Sequence, residues 1–169
     1  MEIYTELLNG LGHVRPDQRR EIYSDLRAAL NLSETEPMIP LPTPELAAWS
    51  RHAAEIMAEV FAQHPGTRLL GNAAMLEAGI LEYGKPPTDA FLDTQLAMGA
   101  TLRAGGLSGL YLHAVINPVA LASARRAARE VLPDTLAALV EERYPAVVML
   151  RHALFQEGAL GVSGMSRAG

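Results

Sequence analysis

Apolar residues recur along most of this chain at intervals of three and four, the spacing of one face of an α-helix. The pattern is clearest after Thr43 and Pro44, a good N-cap and first-turn pair. There Leu46, Trp49, Ala53, Ile56 and Val60 form one stripe ending before His64-Pro65-Gly66. The same period aligns Ile3, Tyr4, Leu7, Leu8 and Leu11 over residues 2–12. It also aligns Ile22, Tyr23, Leu26 and Leu30 over 16–31, behind Pro16 and Asp17, with Arg19, Arg20, Asp25 and Arg27 on the outer face. Residues 1–31 therefore predict a helical hairpin. Its two helices echo each other (Glu2-Ile3-Tyr4 and Glu21-Ile22-Tyr23), one packing solution used twice rather than a solenoid. Residues 32–43 hold Pro37, Pro40 and Pro42 and predict an extended arm. Its Met38, Ile39 and Leu41 need something to pack on. The arm either sets the hairpin apart from a main domain, 44–157, or lets it reach a neighbouring subunit.

Within that domain Thr67 predicts the cap of a helix to about 83, apolar on nearly every side and so expected at the centre. Thr88 caps another, to about 104, and residues 105–109 make a glycine-rich joint. Residues 110–116 fit a buried strand or a short buried helix; with nothing else to supply strand partners, helix is the expectation. Asn117-Pro118 predicts the next start, Pro133 another, and Pro145 the last helix, to about 157. The remainder, 158–169, carries four glycines and reads as a flexible tail. Composition agrees with a helical reading: 27 Ala and 25 Leu stand against 15 Val plus Ile. The expected fold is all-α, a compact multi-helix domain of six to eight helices, with the N-terminal hairpin on a proline-rich arm.

At 169 residues such a chain buries roughly 70% of its unfolded surface and needs no staple. The absence of cysteine removes disulfides, thiolate metal sites and cysteine nucleophiles. A net charge of −5 argues against a general nucleic-acid binder. Lys85 is the single lysine among fourteen cations, the mark of a G+C-rich, bacterial-like coding sequence. The acidic start Met-Glu-Ile-Tyr does not read as a signal peptide, and no long apolar stretch lacks charge. A cytoplasmic protein that spans no membrane is expected.

The candidate chemistry is sparse. His113 lies in an apolar run and His152 shares a stripe with Val148 and Phe155. Either is a candidate acid/base, His152 more so if paired with Glu77 or Glu82. His52, Glu55 and Glu59 share one helical face, but with the reverse of the Glu-before-His order used in di-metal bundles. Neither a metal nor a cofactor is expected. Gly99, Gly105, Gly106 and Gly109 lack the context of a phosphate loop; Gly99 reads as a close helix contact and 105–109 as a turn. Arg125, Arg126 and Arg129, joined by Arg103, form a basic cluster that fits a solvated face first, and otherwise an anionic ligand or DNA phosphate. Ser108 and Ser123 have no nucleophile-elbow context.

One segment resembles a known family. Leu112-His113, then Pro118, Ala120-Leu121, Arg125 and Ala128-Arg129-Glu130-Val131 are similar to the helix pair of carboxymuconolactone decarboxylase-like and alkylhydroperoxidase-like proteins. The likeness covers about twenty residues, and the paired cysteines of the peroxidase branch are absent. It implies an all-α oligomer with a pocket between helices and His113 as a pocket acid/base.

Three functions are expected in order. The first is a non-catalytic interaction or small-ligand-binding protein, self-associating or with a protein partner. The alternative is a small cofactor-free lyase or isomerase with His113 or His152 as acid/base and an arginine holding a carboxylate. The last is a transcriptional regulator, resting on the N-terminal hairpin and its arginines.

Overall fold

The computed structural model describes the backbone of residues 16–166 and the side chains of 18–159. The predicted helix over 2–12, and with it half of the hairpin, lies outside the described residues. The chain order is α1 (Pro16–Ala29), α2 (Thr43–Gln63), a 3-10 turn (Pro65–Leu70), α3 (Ala73–Leu81) and a short 3-10 turn (Glu82–Gly84). Then come α4 (Asp89–Ala104), α5 (Gly109–Tyr111), a π-helical turn (Leu112–Ile116), α6 (Asn117–Val131) and α7 (Asp134–Ser166). No strand occurs among the described residues, so the protein is all-α.

Helix α2 packs between α3 and α6, α6 packs on α7, and α7 packs on α4. Trp49 fixes the middle of this arrangement. It is fully buried, its Nε1–H donates to the Ala124 carbonyl at 3.0 Å, and its ring meets Tyr144 edge-on at 5.6 Å. Helix α6 offers α2 a face of Ala120, Ala124, Ala127 and Ala128, all buried, where small side chains let the backbones approach. The α4–α7 crossing is closer still. A Cβ at Gly99 would stand 2.2 Å from the Phe155 carbonyl oxygen, and one at Gly158 would stand 2.0 Å from that of Leu96. Gly99 is thus the close helix contact read from the sequence.

Three helix boundaries differ from the sequence pattern. Thr67 does not start a long helix: its hydroxyl donates to the Phe61 carbonyl at 3.1 Å and closes the end of α2. Asn72 caps α3 instead, accepting from the Met75 N–H at 3.2 Å. The resulting α3 is not central, since only Ile80 in it is fully buried. Second, Pro145 does not divide the last helix. Val140, Tyr144, Val147 and Val148 are buried on both sides of it, and that packing outweighs one missing backbone hydrogen bond. Helix α7 then runs through Gly158 and Gly161 to Ser166, where the glycines suggest a flexible tail. Third, residues 110–116 are helical, but 112–116 form a π-turn running straight into α6. Asn117 donates its N–H five residues back to Leu112, and the nearby Pro118 has no N–H to give. Asn117 therefore sits inside the helix rather than capping it.

The segment before α2 is docked on the body. Met38 and Ile39 are buried, and their N–H groups donate to the carbonyls of Lys85 and Tyr83 at 3.1 and 2.8 Å. Arg27, expected on the outer face of α1, turns inward and is only 7% exposed. It donates to the Pro87 carbonyl at 3.1 Å and to Asp89 at 2.8 Å. Tyr23 donates to Asp93 at 2.7 Å and Arg19 lies 3.7 Å from the same carboxylate, so polar contacts tie α1 to the start of α4. Burial, reinforced by Asp93, holds the Tyr23 phenol far above its ordinary value.

Candidate functional site: an apolar cavity with a buried arginine

The unusual feature of α3 is how little of it the fold uses. Its sequence, Ala-Ala-Met-Leu-Glu-Ala-Gly-Ile-Leu, is apolar around most of its circumference, yet only Ile80 is fully buried. A helix of that composition ordinarily packs on all sides. Here it stands across a cavity of about 260 Å³ from α2, α4 and α7. Met57 and Phe61 of α2 and Met98 and Leu102 of α4 line the cavity. Leu69 and Met75, 75% and 45% exposed, belong to the same wall and mark where it meets solvent. Gly79 of α3 also lines the cavity, on its exposed side, where a Cβ would find no atom within 4 Å. Methionine on three helices gives the wall soft, adaptable side chains.

One charged residue, Arg151 of α7, is part of this wall. Its Nη1 donates to the Tyr83 hydroxyl at 2.7 Å, and the guanidinium lies 5.9 and 5.8 Å from the ring centres of Tyr83 and Phe155. Its Nε and Nη2 are buried and have no acceptor. Among the described residues no carboxylate pairs with it. The Tyr144 hydroxyl is also buried without a hydrogen-bond partner, and burial keeps that phenol far above its ordinary value, hence neutral. A guanidinium stays protonated under all ordinary conditions. The cavity wall therefore carries one uncompensated positive charge.

The structure brings the two candidate histidines together, outside the cavity. The rings of His113 and His152 are 4.1 Å apart, centre to centre, and the Asn117 amide lies 2.8 Å from His152 Nδ1. Burial first, then His113 and Arg151, keeps His152 below its ordinary value, so it is poised to accept a hydrogen bond. Neither histidine belongs to the cavity wall, and His113 is exposed on the π-turn. His113, for which the family resemblance implies a pocket position, does not line this cavity. Among the described residues no carboxylate pairs with the two histidines: Glu77 faces Arg51 at 3.7 Å and Glu82 takes Lys85 at 2.7 Å.

The basic cluster is largely neutralised. Arg126 pairs with Glu130 at 2.8 Å and Arg129 with Glu141 at 2.6 Å. Those contacts hold the Glu130 and Glu141 carboxyls below their usual range, with His52 helping at Glu130. Arg125 is exposed on the same helix, while Arg103 lies on α4 beside a small separate pocket of about 20 Å³. His52 meets Glu130 of α6 and sits 3.6 Å from Glu55. Among the described residues no cluster of His, Asp and Glu fits a metal ion.

Sequence reasoning noticed Arg151 only as the neighbour of His152. A signal was present, since Arg151 is three or four residues from Val147, Val148, Leu154 and Phe155 and so shares their apolar stripe. No protein-family model matches this sequence, and comparison with curated proteins and with solved structures gives no match. No helix among the described residues is long and apolar enough to cross a membrane.

Proposed function

We propose that the protein binds a small, largely apolar organic molecule inside its helical body and does not transform it. The cavity beside α3 carries this reading. Its volume of about 260 Å³ is close to the range of small-molecule sites, about 300–1,000 Å³. Its apolar lining and soft methionines suit a hydrophobic occupant, and an occupant would supply α3 with the packing that the fold withholds. A catalytic reading is less well supported. The His113–His152 pair lies off the cavity and has no carboxylate to orient it. Self-association belongs to the same proposal. It is supported by large apolar side chains left in solvent, Leu110 at 74% and Met149 at 60% exposure, and sedimentation velocity tests it.

Titration of the full chain with the neutral fluorophore N-phenyl-naphthylamine tests the binding reading. Saturable binding of one molecule per chain is expected, and Gly79→Leu, which adds a large side chain to the cavity's exposed lining, weakens it while circular dichroism stays unchanged. Non-saturable binding, or binding indifferent to Gly79→Leu in a folded variant, overturns the proposal.

A further inference from the structure

We infer that the ligand carries a single negative charge, a carboxylate at the end of an apolar body, and that Arg151 is the residue that selects it. The inference rests on the cavity being a binding site and adds the chemical class of its occupant. A buried cation without a partner is among the costlier arrangements a fold can hold. Natural structures keep such groups where something supplies the missing charge. Among the described residues Arg151 meets only phenols: the Tyr83 hydroxyl accepts from Nη1 at 2.7 Å, Tyr144 lies beside the guanidinium, and Nε and Nη2 are buried without a well-placed acceptor. Among the described residues no carboxylate supplies the missing charge, and the Tyr144 phenol is held neutral. An anion entering the cavity does.

The number of charges follows from the rest of the wall. Among the described residues it contains no lysine, histidine, aspartate or glutamate, so its charge is that of the single Arg151 guanidinium. One carboxylate balances it, whereas a phosphate dianion would retain a charge in apolar surroundings. The other polar groups on the wall are few. The Thr101 hydroxyl is spent on the Ala97 carbonyl at 3.0 Å, which leaves Gln95 as a neutral donor and acceptor. Met57, Phe61, Met75 and Met98 then enclose the ligand's apolar part. A medium-chain fatty acid or an aryl-alkanoic acid has this chemistry.

Calorimetric titration of the full chain at neutral pH with decanoate, decanol, decyl phosphate and decyltrimethylammonium tests the assignment. Decanoate is expected to bind at least about 10-fold more tightly than decanol, the usual worth of a charge-assisted contact. Decyltrimethylammonium is expected to bind least. Arg151→Met is expected to erase the preference for decanoate while retaining decanol binding, and Arg151→Lys to retain part of the preference. If decanol and decanoate bind the native protein equally, the charge assignment falls and the apolar-cavity reading survives. If decyl phosphate binds more tightly than decanoate, the single-charge assignment falls. If none of the four binds, both readings fall together. The native-protein comparison decides the matter even if Arg151→Met does not fold.

Discussion

Helix α4 packs closely on α7 and faces α3 across open space, and the two sides are built on opposite principles. Against α7, Gly99 and Gly158 bring backbone onto backbone, and a single added carbon would collide at 2.2 or 2.0 Å. Towards α3, the exposed glycine at 79 has nothing to meet within 4 Å, and three methionines and two phenylalanines surround open space. One residue type thus serves two ends: closing a helix pair in the first region, and leaving room in the second. A core that needed only stability would have filled the second region as densely as the first, because interiors pack like organic crystals. The uneven packing marks the α3 side as the place where the protein's own atoms are not the whole complement.

Alanine placed at either kind of glycine breaks the comparison most directly. Gly99→Ala should lower stability by about 3 kcal/mol, because the obstacle is backbone that cannot rotate away. Gly79→Ala should raise it by about 0.5–1 kcal/mol, since the helix gains propensity and no contact is violated. Urea denaturation of both variants reads the contrast, and losses of similar size would show that Gly79 is not beside a void.

A smaller effect concerns the charge. Replacing Arg151 with methionine removes an uncompensated buried cation and should stabilise the ligand-free protein by about 1 kcal/mol. A loss of stability instead would mean that the contacts with Tyr83 and the two aromatic rings hold the helices together, and that Arg151 is structural rather than ligand-directed.

The smallest effect is a pH dependence outside the cavity. His152 binds a proton less readily in the folded protein than its ordinary value of 6.5 implies, chiefly through burial and then through His113 and Arg151. The unfolded chain then takes up more protons as pH falls, so the contribution of His152 is complete above about pH 6.5 and declines below it. His152→Gln should flatten that part of the stability–pH curve while leaving ligand binding unchanged. Loss of binding in this variant would draw the histidine pair into the site after all.

Much of the architecture was legible because it follows from local rules. Thr88 caps a real helix start, and α2 begins at Thr43 although its hydroxyl makes no cap. The 44–63 stripe overlaps the buried face of α2 at Trp49 and Ala53, while Met57 and Phe61 complete that face, and Gly99 is a close contact. The failures share one cause: a local signal overruled by burial. Pro145 stays in a continuous helix because its flanks are buried, Thr67 serves the preceding helix, and Arg27 leaves the surface for Pro87 and Asp89.

The candidate site was legible only in its ingredients. Composition and periodicity determined that the chain makes helices, which side of α2 is apolar, and that α3 is apolar nearly all round. They contained no statement of what α3 packs against, because periodicity describes a helix and not the distance to its neighbour. That distance, the void it leaves and the missing counter-charge at Arg151 were decided by tertiary structure, where close approach between α4 and α7 fixes how much space remains on the other side.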